Sequence, residues 1–347
     1  MRLGLGLIVK NEAVDLPACL ESFLPSVDAV AIVDTGSTDN TIELAKKALD
    51  DYGLPYKIVT FTDCNDAEGN INNFSLARNE YIKLLEGMGV DYIMSADADD
   101  VLITNYIKDV IKEHGEGDFF SINYRMDNGL SFHSYKIWKA ETKARYVGRV
   151  HECLAVDWTK VVRHLPVTVQ HHYTYQACQE NGSLRNLRIL KEEIYPPLRS
   201  LFYYANENVD LKNYPEAIKW YREYIRRAKE GETCWPVELA HCYFRAARWC
   251  QAIGQTDEAI RLSQELLAKD SSWSESWCEL AYIATLQKRY DDAESYCLEA
   301  MKNQFRPRLF SEQDKYTVTP AGMLLNIRKI KEAVQNLNEA KNEETNS

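Results

Sequence analysis

The chain has 347 residues, 45% hydrophobic and 27% charged, which is ample for two cored domains of ordinary globular composition. Its net charge of −11 is uneven: the first hundred residues hold 18 acids against 7 bases, so the totals of 52 and 41 leave 34 of each beyond them. That distribution argues against nucleic-acid backbone as a partner, since such binding needs a basic surface.

No apolar run approaches the length of a membrane span, and the start MRLGLGLIVKNE lacks a signal-peptide layout. Nine cysteines without a CxxC pair suit reduced thiols, and the expected location is cytoplasmic.

Leu3 to Val9 reads as a buried strand ending at Lys10-Asn11-Glu12. Gly4 and Gly6 lie inside that strand with no third glycine after them, which speaks against a dinucleotide fingerprint. A helix capped by Asp15 should run to about Phe23. The second strand, Asp28 to Val33, leads into Asp34-Thr35-Gly36-Ser37-Thr38-Asp39-Asn40-Thr41, a loop dense in turn and cap residues. A helix to about Tyr52, a strand over Tyr56–Phe61 and a helix from Phe74 to about Glu86 follow. The next apolar strand ends in Ser95-Ala96-Asp97-Ala98-Asp99-Asp100.

This βαβαβαβ pattern predicts a parallel sheet with right-handed crossovers. Its C-terminal edge would collect Asn11, Glu12, Asp34, Thr35, Asp39, Arg78, Asp97 and Asp99 in a ligand cleft. Asp97 and Asp99 leave an extended backbone on one side and make a seat for a hard divalent cation. Asp100 is expected only to start the next turn. Further on, a helix over Thr104–Glu113 and strands over Asp118–Tyr124 and Ser134–Lys139 precede the segment Val150-His151-Glu152. A strand over Leu165–Val169 then runs into His171-His172-Tyr173-Thr174-Tyr175.

In this order and at these spacings, IVKNE, VDTGSTDNT and SADADD resemble the family 2 glycosyltransferases of the GT-A fold, over roughly residues 1–175. The resemblance implies that Val9, Glu12, Asp34 and Thr35 contact the base and ribose of a nucleotide. It puts Arg78, in FSLARN, near the diphosphate, Asp97 towards the ribose and Asp99 on a metal, with Asp97 counted in the metal site as well. Thr35 departs from the common Asp-Asp-Gly-Ser form and leaves the base preference open. Glu152 becomes the base that deprotonates the acceptor, with Asp127 of the Met126-Asp127-Asn128-Gly129 turn as second candidate. A later histidine often closes such metal sites; His172 is the first choice and His151 its competitor. Imidazole suits Mn²⁺ better than Mg²⁺. The charge pattern agrees, because an acidic cleft accepts a diphosphate only through a bridging cation.

From about Leu184 the pattern turns continuously helical. Ala205 and Ala217, Ala247 and Ala259, and Ala281 and Ala293 each stand twelve apart, and Ala259 to Ala293 is the 34-residue tetratricopeptide period. Small residues there let paired helices pack closely and stack into a solenoid. Trp220, Trp249, Trp273 and Trp277 are expected in the core between repeats. Arg306-Pro307-Arg308 should break the array, before a capping helix from about Ala321 to Ala340.

The expectation is therefore an α/β GT-A-type nucleotide-binding domain over 1–180, an all-α tetratricopeptide-like solenoid over 184–303, and a capping helix with tail over 304–347. The expected activity is metal-dependent, inverting transfer of a sugar from a nucleotide-sugar donor, UDP-linked, to a hydroxyl or thiol of a peptide, protein or glycan. Mn²⁺ or Mg²⁺ is the implied cofactor, and the repeats are expected to bind a partner or a second copy. Transferases that resemble this build include S-glycosyltransferases acting on bacteriocin precursors. The rival is a silent transferase-like scaffold, against which the intact Asp-x-Asp argues. DNA-base glycosylation would need a basic groove that the first hundred residues lack.

Overall fold

Four strands frame the first unit: β1 (Leu3–Val9), β2 (Ala29–Asp34), β3 (Tyr56–Thr60) and β4 (Tyr92–Ser95). They lie parallel in the order β3-β2-β1-β4, as the alternating pattern predicts. The computed structural model describes residues 1–104, 106–127, 129, 131–172, 182–303 and 312–345. The apolar runs of β1, β2 and β4 are buried on both sheet faces. α1 (Leu16–Phe23) and α2 (Thr41–Tyr52) cover one face, and α3 (Phe74–Gly87) covers the other. Asp15 occupies the N-cap of α1, but its side chain accepts no backbone hydrogen bond there, unlike Asn73, which caps α3 at the N–H of Leu76.

α3 lies very close to β1. A Cβ built on Gly6 would fall 2.2 Å from the ring of Tyr81, and one on Gly4 would fall 2.7 Å from Leu85. The two glycines thus serve helix–sheet contact. This closeness sets Arg78, one turn before Tyr81, beneath the C-terminal ends of the strands.

The sheet continues through β5 (Asp100–Leu102), β6 (Phe119–Met126) and β7 (Ser131–Lys139). A short ribbon of β8 (Tyr146–Val147) and β9 (Cys153–Leu154) and then β10 (Val162–His171) complete the strands, and α4 (Ile107–His114) follows β5. The full order is β3-β2-β1-β4-β7-β6-β10-β5, with β7 antiparallel to β4 and β6, and β5 antiparallel to β10. Asp100 therefore does more than begin a turn: it opens β5, and the register sets it opposite His171. The β8–β9 ribbon presents Gly148 to Glu152 as a tight loop, with Gly148 at φ +94° and His151 at φ +51°.

The two units divide between Glu192 and Glu193, later than the helical pattern alone suggested. α5 (Gly182–Leu190) belongs to the first unit for electrostatic reasons. Arg188 pairs with Asp66 and donates to the carbonyl of Ile71, while Glu192 accepts from Arg149 at 2.6 Å and from Asn72 at 2.7 Å.

The second unit holds the helix pairs α6 (Leu198–Asp210) and α7 (Tyr214–Lys229), α8 (Pro236–Ala252) and α9 (Thr256–Lys269), and α10 (Ser274–Leu286) and α11 (Tyr290–Lys302). The six aligned alanines are fully buried, and Trp273 joins them in the core while Trp220, Trp249 and Trp277 pack half-buried against it. α12 (Val318–Thr345) packs on the last pair through Leu324 and Ile327. The predicted break at Arg306-Pro307-Arg308 lies outside the described residues. No described helix is long and apolar enough to cross a membrane.

Each pair closes through the same three-residue turn. Its middle residue is left-handed: Lys212 at φ +59°, Gly254 at +81° and Lys288 at +60°. The residue after it donates five back, from Asn213 to Asn208, Gln255 to Cys250 and Arg289 to Ala284, each at 2.8 Å. Lysine is strained where glycine is not. Lys212→Gly and Lys288→Gly should each raise stability by about 0.5–1 kcal/mol in denaturant melts, and Gly254→Ala should lower it by a similar amount. Gly6→Ala should cost about 1–3 kcal/mol through overpacking against Tyr81.

Candidate functional site

The loops after β1 and β2 are stitched together at the C-terminal edge of the sheet. Thr35 donates to the carbonyl of Val9 from its N–H at 2.9 Å and from its hydroxyl at 3.2 Å. The buried Asp34 accepts from the N–H groups of Ser37 at 2.8 Å and Gly36 at 3.3 Å, a turn built by its own side chain. Asn11 accepts from the N–H of Thr38 at 2.7 Å, and its own N–H donates to the Ser37 hydroxyl at 3.0 Å. Val9, Glu12, Asp34 and Thr35 share this preformed ledge. Burial, and then the charges of Asp99, Asp15, Asp39 and Asp97, push the Glu12 carboxyl up to about 7. A cation in the cleft would reverse that pressure.

Arg78 is the centre of the opposite wall. Its guanidinium donates to Glu152 Oε1 at 2.5 Å and to Asp97 Oδ1 at 2.7 Å, and it lies 5.3 Å from the Tyr146 ring centroid. Lys136, which the sequence reading did not single out, holds the other oxygen of Asp97 at 3.3 Å. Burial alone would raise the Asp97 carboxyl, but Arg78 and Lys136 outweigh it and hold the group well below the usual carboxylate range. Both oxygens of Asp97 are thus engaged by cations in this structure, which differs from the expectation that Asp97 joins the metal's ligands.

The group able to hold a metal among the described residues is Asp99, Asp100 and His171. His171 Nδ1 lies 2.9 Å from Asp100 Oδ1, 3.1 Å from the Tyr124 hydroxyl and 3.3 Å from Asp99 Oδ1. Tyr124 donates to Asp100 at 2.5 Å, and the other oxygen of Asp100 accepts the N–H of Asp97 at 2.9 Å. Burial would lower the His171 imidazole, but hydrogen bonds to Asp100 and Asp99 carry it up to about 10. Burial, and the neighbouring Asp97 and Asp100 charges, raise Asp99, while His171 draws it down.

The histidine brought to Asp99 is therefore His171, one residue before the expected His172. In a strand that step reverses the face. The His172 side chain instead meets Asp127 at 3.1 Å, and His151 accepts from Asn186 at 3.4 Å. Asp127 also accepts from Gln170 at 3.0 Å. Neither His172 nor His151 joins the cluster.

Residues 5–153 match the family model described as Glycosyl transferase family 2, a span that covers all three sequence motifs and ends just after Glu152. Within the first unit, that span is similar to the family 2 glycosyltransferases. Over 239 residues the chain is 23% identical to the SPbeta prophage-derived glycosyltransferase SunS of Bacillus subtilis, an alignment covering 65% of this chain and 53% of SunS. The chain thus spans about half the length of the curated relatives it matches first. A tetratricopeptide repeat-containing protein of Synechococcus elongatus is 37% identical over 102 residues, 29% of this chain and 21% of that protein. A crystal structure of S. aureus TarS 1–349 in complex with UDP aligns with a TM-score of 0.40 and 13% identity, covering 86% of this chain and 90% of that one.

A cation bound by the Asp99–His171 pair would depend on a proton. The imidazole must be neutral to ligate, and without a cation it stays protonated up to about pH 10. The apparent affinity for Mn²⁺ should therefore rise about tenfold per pH unit between roughly pH 7 and 9, with one proton released per ion. Titration calorimetry in buffers of different ionisation enthalpy checks this; a flat profile would remove His171 from the ligand set.

Proposed function

We propose that this chain transfers a sugar from a nucleotide-diphosphate donor, UDP-linked, to a hydroxyl or thiol of a peptide, protein or glycan, with inversion and with a divalent cation bound. The observation that carries this is the Asp99–Asp100–His171 cluster at the sheet edge of a family 2 domain. The donor set fits such a cation. Asp99 Oδ1 and His171 Nδ1 stand 3.3 Å apart, near the ~3 Å kept by adjacent ligands of a six-coordinate ion at about 2.1 Å. Asp99 and His171 would hold it, with His171 Nδ1 giving up its contacts to Asp100 and Tyr124 as it loses its proton to ligate. Imidazole favours Mn²⁺ over Mg²⁺. When bound, the cation supplies Lewis-acid stabilisation of charge on the departing diphosphate.

The remaining work falls to the chain's own residues. Val9, Glu12, Asp34 and Thr35 seat the base and ribose, and Asp97 accepts from a ribose hydroxyl. Arg78 lies on the diphosphate side. Glu152 takes the acceptor's proton; a donor diphosphate that draws on Arg78 loosens the buried pair and frees that carboxylate. Asp127, half-exposed beside His172, is the second candidate base. The helical repeats dock the acceptor or a second copy of the chain.

A thermal-shift series with UDP, MnCl₂ and both tests the donor site. At a hundredfold excess over Kd, binding should add about 2.7 kcal/mol of apparent stability. Asp99→Asn should abolish the Mn²⁺-dependent part; an unchanged shift would remove the metal assignment. Glu152→Gln should keep the shift yet lower turnover by about 10²–10⁴. Wild-type turnover in that variant, with loss in Asp127→Asn, would transfer the role to Asp127.

A further inference from the structure

Lys136 is a buried cation in the cleft that no step above requires. It lies within β7 between Tyr135 and Ile137, next to the Met94–Ile137 pair and so at the C-terminal end of β4. Only 12% of its side chain is exposed, and lysine is seldom buried so far without a paired charge. Its Nζ stands 3.3 Å from Asp97 Oδ2 and 4.8 Å from the centroid of the Tyr124 ring. Arg78 holds Asp97 Oδ1 at 2.7 Å. The first carboxylate of the Asp-x-Asp is thus occupied at both oxygens, while the second, Asp99, faces the His171 imidazole.

We propose that Lys136 is a positioning residue that reserves Asp97 for the donor and keeps it out of the cation's ligand set. This rests on the donor-and-cation reading above. With both oxygens of Asp100 already accepting, from the Tyr124 hydroxyl and the Asp97 N–H, a site of Asp99 and His171 leaves most of a six-coordinate shell to phosphate oxygens and water. Cation and donor then bind as a unit, each strengthening the other by the same factor. Releasing Asp97 Oδ2 would give the protein a second carboxylate for the ion, which would then bind without a donor and remain after the diphosphate leaves. Lys136 therefore makes cation affinity conditional on the donor.

Free Mn²⁺ measured by electron paramagnetic resonance, with the full chain titrated with MnCl₂ in the presence and absence of UDP, tests this. Wild type should bind Mn²⁺ weakly alone and about tenfold more tightly with UDP. Lys136→Met should bind Mn²⁺ alone about fivefold more tightly than wild type, with a smaller gain from UDP. Lys136→Arg should behave as wild type, and adding Asp97→Asn to Lys136→Met should restore the weak binding. A folded Lys136→Met chain with unchanged or weaker Mn²⁺ affinity overturns the proposal.

If Lys136→Met does not fold, Asp97→Asn alone decides. The proposal expects unchanged Mn²⁺ affinity without UDP and weakened UDP binding; a loss of Mn²⁺ affinity without UDP would show Asp97 to be a ligand already and overturn it. A wild-type chain that binds no Mn²⁺ even with UDP would instead sink the donor-and-cation reading itself.

Discussion

A guanidinium buried between two carboxylates is the constraint around which the first unit is arranged. Arg78 links Asp97, at the end of β4, to Glu152, in the loop between β8 and β9. Removing one partner from such a buried pair typically costs about 3–5 kcal/mol, because a charge is left without compensation. The contacts around it follow from this need. Gly6 and Gly4 let α3 approach β1, Tyr81 donates to Ser95 at 2.8 Å, and Ser95 in turn accepts from Arg78 at 3.4 Å. Ser75 donates to the carbonyl of Gly148, and the N–H of Phe74 donates to that of Arg149 at 2.7 Å, so the same helix pins the loop that carries Glu152. One helix therefore fixes both Asp97 and the candidate base Glu152.

The part of this fold that depends on local pattern was legible in the sequence. Continuous apolar runs, cap residues and amphipathic helices located β1 to β4 with α1 to α3, and parallel crossovers fixed their order. The loop of Asp34 and Thr35 followed from turn chemistry, and Val9 beside it from the family resemblance. The pairing of Asp100 with His171 was not legible, because β5 and β10 are 71 residues apart along the chain at that contact. Choosing between His171 and His172 needs the strand's parity, and the register of β10 against β6 shifts between His164 and Thr168. An irregularity of that kind erases a count of alternation made from Leu165 onward. Lys136 did leave a signal: a lysine set among the aromatic and aliphatic residues of a strand.

The repeats show the reverse balance. Their alanine spacing gave the helix pairs, yet glycine stands at only one of the three turns. The backbone is nonetheless left-handed at Lys212 and Lys288. Packing of buried alanines and aromatics imposes the turn on residues that do not favour it, so the array's geometry comes from its core rather than from its loops.

α5 has a mechanical meaning beyond its part in the boundary between units. The chain leaves the first unit at Glu192, and that side chain is clasped by Arg149 and Asn72. Arg149 is three residues from Glu152, and Asn72 directly precedes the cap of α3. The last residue of the first unit is thus bonded to both segments that hold the loop bearing the candidate base.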